Sequence, residues 1–449
     1  MLVNAHLSEF KKIAAVALML LSLMTKAQNW SINQCIDTAL KHNYALQIAK
    51  SDIRISQEKN KEAIGGFYPK LYANADYRYY SDLPYQLLPA SVFNGPPGVY
   101  KEAQFGVPHN LNVSASAELP LYNSQTIGAV TVSKKAIELN QISYRQLEEQ
   151  VVLDVSNLYF NAQIIANQIQ FLTKAINNGE KLKESIQLLY NAKIAKSIDV
   201  DKIKLQNENL KTRLNTTQSQ YNQVINLLKM QMGISAKTEI MVNEEIQVES
   251  EKITYNSKST TEMDFVNARH QVLQKELRAM TLSYLPNLSV YGTYGSTGFG
   301  NYNGKNDFFK TYPIGFAGVK LSWMLFSGTT LEHKIIMKKE EIRQNKLRAD
   351  FSSQKQNMLV ENASMQYVVT VSALNASKSQ LLLAQTIYEK SVLQLKEGTA
   401  SLTEVIMVDN AQNEARQNYL AAMTEVMKAD LELKKVSGNI MSNNNKKSK

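Results

Sequence analysis

Apolar positions along this chain recur with two different periods. Across residues 123–190 they return every three or four residues, and Val151, Val155, Leu158, Ala162, Ile165, Ile169, Leu172 and Ile176 line one helical face of coiled-coil type. That run holds no proline and only two glycines, Gly128 and Gly179, while a second run at 329–395 holds neither. At 1.5 Å per residue each run predicts a helix of about 100 Å, far longer than the helices of a globule. Shorter helical patterns flank them at about 31–64, 199–232, 261–284 and 402–436. Two such helices laid end to end match one long one. The remaining faces of the first run carry uncharged amides (Gln146, Gln150, Asn157, Asn161, Gln163) where a solvated exterior would carry Glu/Lys pairs. Periodicity alone leaves a solid antiparallel bundle and a hollow helical cylinder both open.

Four short segments change the period to two. Residues 110–119 alternate Leu111, Val113, Ala115, Ala117 and Leu119 with Asn110, Asn112, Ser114, Ser116 and Glu118, the mark of a strand with one wet and one apolar face. Residues 71–80 alternate in the same way, and 288–295 with 315–325 form a weaker pair in which Ala317, Val319, Leu321 and Trp323 oppose Lys320 and Ser322. About ten alternating residues is the length of a tilted strand that crosses an outer membrane. The connecting segments, 81–107 and 296–312, are rich in Gly, Pro, Asn and Tyr and read as external loops. Tyr85, Tyr100, Tyr302 and Tyr312 stand where an interfacial aromatic girdle or loop packing would use them. Membrane strands must close on themselves, because lipid satisfies no backbone donor or acceptor, and single-chain barrels begin at about eight strands. Four strands therefore call for several chains in one barrel.

The order of elements occurs twice. Gly66-Phe-Tyr-Pro69-Lys-Leu71 ends one helix and opens one strand, and Ser283-Tyr-Leu-Pro286-Asn-Leu288 does so again, with Pro69 and Pro286 separated by 217 residues. Tyr122 and Phe326 match at an offset of 204, and Asp199 and Glu404 at 205. The drop falls between the strands, where the first external loop is the longer. Each half reads helix, hairpin, very long helix, tight turn, helix.

Composition narrows the function by exclusion. The 449 residues include a single cysteine, which leaves no disulfide framework and no cysteine-based metal site. The net charge of +10 is dispersed, without the basic stripe of a nucleic-acid binder. Lys11 and Lys12 precede an apolar run at 13–23, and Ala27 supplies a small residue at a cut. These features predict a cleaved secretory signal peptide over residues 1–27, whose removal leaves a net charge of about +8. The apolar run is too short to span a bilayer. The Gly-rich segment from Gly292 to Gly300 is no phosphate loop, since no helix start follows it. The histidines are isolated, and no nucleophile motif occurs. The chain is read as a non-enzyme without cofactors, and the tail at 443–449 as polar, basic and disordered.

Taken in order, these markers resemble the TolC-like outer-membrane efflux proteins. The resemblance covers nearly the whole chain after residue 27. It rests on Ala39-Leu40, Asn43 and Leu46 in the first helix, on the two Pro-x-Leu junctions at Pro69 and Pro286, and on the Leu-Tyr-Asn-Ser and Leu-Phe-Ser-Gly exits at 121–124 and 325–328. The turn Gly398-Thr399-x-Ser401-x-x-Glu404-Val405 completes it. The family resemblance implies a mainly α fold with membrane β: a long antiparallel α-helical barrel, and four strands per chain contributed to a 12-stranded trimeric β-barrel. It also implies a homotrimer in the bacterial outer membrane with a periplasmic helical extension. Its partners would be outer-membrane lipid, a periplasmic adaptor and an inner-membrane efflux pump or ABC exporter, for efflux or type I secretion. Residues 28–232 form the first repeat on this reading, 233–258 a linker or equatorial segment, 259–438 the second repeat and 439–449 the tail. In the family the helical turns form the periplasmic tip, where acidic residues constrict the pore. The matching positions here are Asp199 and Glu404, with Asp201 and Asp409 nearby, and the adaptor-docking turns comprise Lys193, Ser197, Gly398, Thr399 and Ser401. The sequence departs from the pattern at Met407, where a second acid is usual, and at Ala400, where a basic residue is usual. The alternative is a periplasmic coiled-coil adaptor or scaffold with no channel of its own.

Overall fold

The structure is a computed structural model, and it describes residues 28–242, 260–302 and 307–441. The expected signal peptide, most of the expected linker and most of the expected tail lie outside the described residues. In chain order the elements are β1 (Gln28–Trp30), α1 (Ile32–His42), α2 (Tyr44–Gly65), β2 (Lys70–Tyr79), β3 (Tyr85–Pro89), β4 (Tyr100–Gln104), β5 (His109–Tyr122), α3 (Ser124–Asn191), α4 (Ser197–Met232) and β6 (Ile240–Val242). They continue with α5 (Thr261–Leu282), β7 (Asn287–Asn301), β8 (Phe308–Ser322), α6 (Thr330–Lys396) and α7 (Leu402–Val436). The two proline-free runs are single helices, α3 with 68 residues and α6 with 67.

Three expectations need correction. The helical pattern at 31–64 is two helices, because Asn43 leaves the helical region at ψ 128° and its Oδ1 accepts the backbone N–H groups of Ala45 and Leu46 at 2.9 and 3.2 Å. Its Nδ2 donates to the carbonyl of Gln231 at 2.8 Å, tying the break to the end of α4. An asparagine that caps its own helix restart leaves apolar periodicity unbroken, so the pattern hides it. The first connecting segment is not all loop: β3 and β4 pair antiparallel there, Tyr85 opposite Gln104 and Pro89 opposite Tyr100. The second hairpin is also longer than its alternation, β7 running to Asn301 and β8 starting at Phe308. Glycines at 292, 295, 298 and 300 carry no side chain to alternate, which masks the strand. A short parallel pair, β1 with β6, was not foreseen either.

The chain divides into two compact units. Among the described residues the helical unit draws on 28–52, 141–242, 260–266 and 348–441. Its main core gathers Cys35, Ala39 and Leu46 with Val151, Val155 and Ala162 of α3, Leu228 and Met232 of α4, and Leu431 of α7. Of the predicted seam of α3, Val151, Val155, Ala162, Ile165 and Leu172 are buried, Val155 and Ala162 fully so, and Leu158, Ile169 and Ile176 are half-buried. Between Val151 and Ala166 further faces are covered as well, including Val152, Ile164 and Gln163. Burial pushes the Cys35 thiol up to about 12, so it stays protonated and unreactive.

The second unit, Ile53–Asn140 and Asn267–Leu347, carries a four-stranded antiparallel sheet in the order β2-β5-β7-β8. Register sets its two faces. Leu71, Ala117, Gly292 and Ala317 stand in one row, and Ala73, Ala115, Tyr294 and Gly315 in the next on the same side. Leu119, Val113, Val290, Val319 and Leu321 extend that apolar face. The opposite face carries Asn74, Asp76, Asn110, Asn112, Ser114, Ser116 and Thr293. Both faces are open to the surroundings of the chain, with Val319 68% and Leu321 64% exposed. Among the described residues β2 and β8 each have one strand neighbour, so both outer edges are unpaired.

Candidate functional site

Two regions carry the residues singled out by sequence, one in each compact unit. In the helical unit, α3 turns into α4 and α6 into α7. The two turns share one set of hydrogen bonds at a constant offset of 205 residues. Lys193 N donates to Tyr190 O at 2.9 Å and Ile194 N to Leu189 O at 2.8 Å; Gly398 N donates to Leu395 O at 3.1 Å and Thr399 N to Gln394 O at 2.9 Å. This is the paired closure that follows a helix end when the next residue is left-handed. Lys193 has φ +61° and Gly398 φ +76°. The second copy places glycine where the backbone needs it; the first bends a lysine into the same conformation.

The acids of these turns close the following helices. Ser401 N–H donates to Glu404 Oε2 at 2.7 Å and Glu404 N–H to Ser401 Oγ at 3.3 Å, a reciprocal cap. Lys196 N–H donates to Asp199 Oδ2 at 3.3 Å in the first copy. Asp199 is thus the third residue of α4 and not its cap, a role that falls to Lys196. Asp201 is exposed on the next turn, and Lys193, Ser197, Gly398, Thr399 and Ser401 are all exposed. Beneath them Ile186 of α3, Ile203 of α4 and Leu402 of α7 are buried together, with Leu395 of α6 against them, so both turns meet over one apolar cluster. Lys202 Nζ donates to Thr403 Oγ1 at 3.2 Å between α4 and α7.

Asp409 lies apart from the turn acids. Its Oδ2 accepts from Gln206 Nε2 at 3.4 Å and Asn413 Nδ2 at 3.2 Å, and burial holds its carboxyl above the ordinary carboxylate range against these bonds and the pull of Arg416. Burial lowers Arg416 to about 10, which leaves it a cation at neutral pH, and its guanidinium sits 3.0 Å above the Phe171 ring. Asn207 beside them is buried with neither amide atom bonded. Gly179 of α3 makes the room: a Cβ there would stand 2.0 Å from Asn207 Oδ1. Sequence reading singled out Asp409 but missed the rest of this polar set. The signal was Asn207 itself, seated between Ile203 and Leu210 on the buried seam of α4.

In the sheet unit, Pro69 and Pro286 follow helix ends of identical form. Gly66, Phe67 and Tyr68 donate to Ala63, Ile64 and Gly65, and Ser283, Tyr284 and Leu285 donate to Met280, Thr281 and Leu282, every partner offset by 217. Proline has no N–H to extend either series, so the chain leaves as a strand. Aromatic residues mark both ends of the apolar face. At one end His109 packs with Tyr79 (5.0 Å) and Tyr302 (4.9 Å), and its Nδ1 shares a 2.6 Å hydrogen bond with the Tyr77 hydroxyl. At the other, Trp323 donates from Nε1 to the Tyr284 carbonyl at 2.9 Å, and Met324, Leu325 and Phe326 beyond it are exposed. Of the tyrosines picked from sequence, Tyr302 joins the first cluster. Tyr312 lies on the opposite face, opposite Thr297, and Tyr85 and Tyr100 belong to the β3–β4 hairpin.

No protein-family model and no curated protein matches the sequence. Solved structures do match. The outer membrane protein VceC from Vibrio cholerae is 13% identical, with 91% of this chain and 96% of that one covered at a TM-score of 0.69. The CmeC outer membrane channel of Campylobacter jejuni is 12% identical, with 93% and 89% covered at 0.71. The open state of the Neisseria gonorrhoeae MtrE outer membrane channel is 13% identical, with 91% and 88% covered at 0.68. Long helices that recur in chain order with pairs of sheet strands, together with likeness over nine-tenths of the length, give this chain the TolC-like fold of outer-membrane channels.

Proposed function

We propose that the chain is one protomer of a trimeric outer-membrane exit duct that passively conducts substrates received from an inner-membrane transporter and a periplasmic adaptor, in efflux or type I secretion. The observation that carries this reading is the four-stranded sheet with one apolar face, one polar face and two unpaired edges. In lipid every backbone group must be bonded within protein, so β8 of one protomer pairs with β2 of the next. Three protomers make twelve strands. From Leu111 to Leu119 the apolar face of β5 spans about 27 Å along the strand, about 20 Å of height at the usual tilt. With aromatic residues at both ends it suits an outer membrane. The polar face then lines water, and cargo passes along Asn and Ser side chains.

The long helices supply the periplasmic extension. Their turns present Lys193, Ser197, Gly398, Thr399 and Ser401 for adaptor docking, and Asp199, Asp201 and Glu404 stand at the entrance. The carboxylates of Asp199 and Glu404 are held by backbone N–H groups, so they keep fixed positions. Likeness to outer-membrane channels supports a conduit over an enzyme or a separate adaptor. The test is to purify the full chain from outer membranes, determine its mass in detergent and record conductance in planar bilayers. A trimer with steady ion conductance is expected; a soluble monomer without channel activity overturns the reading.

A further inference from the structure

The pore-facing side of the sheet is not uniformly polar. On β2 and β5 that face is mostly Asn, Ser, Asp and Arg, but on β7 and β8 it carries Tyr291, Phe299, Phe308, Tyr312 and Phe316. Large aromatics facing water cost free energy unless something covers them, and four of these five are arranged in two pairs. Tyr291 meets Phe316 edge-on at 6.2 Å, and Phe299 meets Tyr312 at 6.2 Å. The Tyr291 ring lies across β8 at Gly318, where an added Cβ would stand 3.0 Å from it. Next to this ring is an open groove of about 350 Å³, lined by Tyr72, Ser116, Glu118, Tyr291, Thr293 and Lys320. Six of these side chains belong to the polar face, and the groove is within the size of small-molecule sites. Glu118 and Lys320 stand two strands and, by register, two residues apart, about 12 Å by the usual strand spacing and rise. Lys70, the register partner of Glu118, is not part of the lining.

We propose that this groove is a transit subsite for zwitterionic aromatic molecules, the ring held between Tyr72 and Tyr291, the ammonium group toward Glu118 and the anionic group toward Lys320. The inference rests on the polar face lining the duct, and it names the class of cargo the duct favours. Two aromatic walls reward a flat ring, and separated opposite charges reward a molecule that carries both. Bare metal ions and aliphatic solutes gain nothing from the rings.

The test uses the purified trimer and 4-fluorophenylalanine as probe, read by broadening of its fluorine resonance, with conductance recorded on the same sample. Phenylalanine should displace the probe and leucine should not. Tyr291→Leu and Tyr72→Leu, each keeping an apolar side chain, should weaken binding roughly five- to tenfold in samples that still conduct, and Glu118→Gln with Lys320→Gln should weaken it as well. A conducting wild-type channel that leaves the probe unbroadened overturns the proposal, as does unchanged binding in both tyrosine variants. A sample without any conductance defeats the duct itself and the subsite with it, and the electrical record distinguishes that failure from the others.

Discussion

The two compact units of this chain hold themselves together by opposite means. The helical unit has a closed interior in which Val155, Leu228 and Met232 are fully buried. The sheet unit has neither face covered: Val319 and Leu321 lie on its apolar side as exposed as surface residues, and two strand edges are free. One unit satisfies its hydrophobic surface from within the chain, the other only from outside it. Mutations should therefore act on different measurements in the two units.

The largest effect belongs to the helical interior. Leu228→Ala should destabilise the chain by about 2–5 kcal/mol, seen as an earlier urea midpoint in helical circular dichroism; a shift below about 0.5 kcal/mol would erase the contrast between the units. Next comes the apolar face of the sheet. Val319→Lys should cost about 2–4 kcal/mol in the membrane and reduce the trimer recovered from outer membranes, while Ser114→Lys on the polar face should be tolerated. Poorer recovery of Ser114→Lys than of Val319→Lys would mean that the faces are assigned the wrong way round, and equal recovery that lipid does not distinguish them. The smallest effect sits in the repeated turns. Gly398→Ala should lose about 1 kcal/mol and Lys193→Gly gain up to about 1 kcal/mol, measured as opposite shifts in thermal midpoint. Shifts of the same sign would show that the two turns do not share one backbone geometry.

What the sequence made legible follows from side-chain periodicity. The seam through Val151, Val155 and Ala162 and the alternation through Leu111 to Leu119 were visible because each position differs from its neighbours in polarity. The ends of α7 were met at Leu402 and Val436, where Ser401 supplies a cap signal. Periodicity failed where the backbone or a single polar group decided the outcome. Asn43 restarts a helix through its own side chain, and Gly292 to Gly300 continue β7 without side chains to alternate. The hairpin of β3 and β4 is too short, and too close to proline and glycine, to stand out. At the turns, Asp199 and Glu404 were found by spacing, but their bonds to Lys196 and Ser401 needed coordinates. In one dimension Asp409 groups with Asp199, Asp201 and Glu404, and none of its partners is visible. In three dimensions it belongs with Gln206, Asn413 and Arg416 inside the helical unit.

The free edges of β2 and β8 also bear on how such a channel is made. A wall that one chain cannot finish does not yield a partial pore, because a lone protomer in lipid leaves two rows of peptide groups unbonded. If the chain works as the proposed duct, insertion and assembly are a single event whose rate climbs steeply with protomer concentration. On that reading, scarce protomers form no holes at all, and abundant ones form complete ducts.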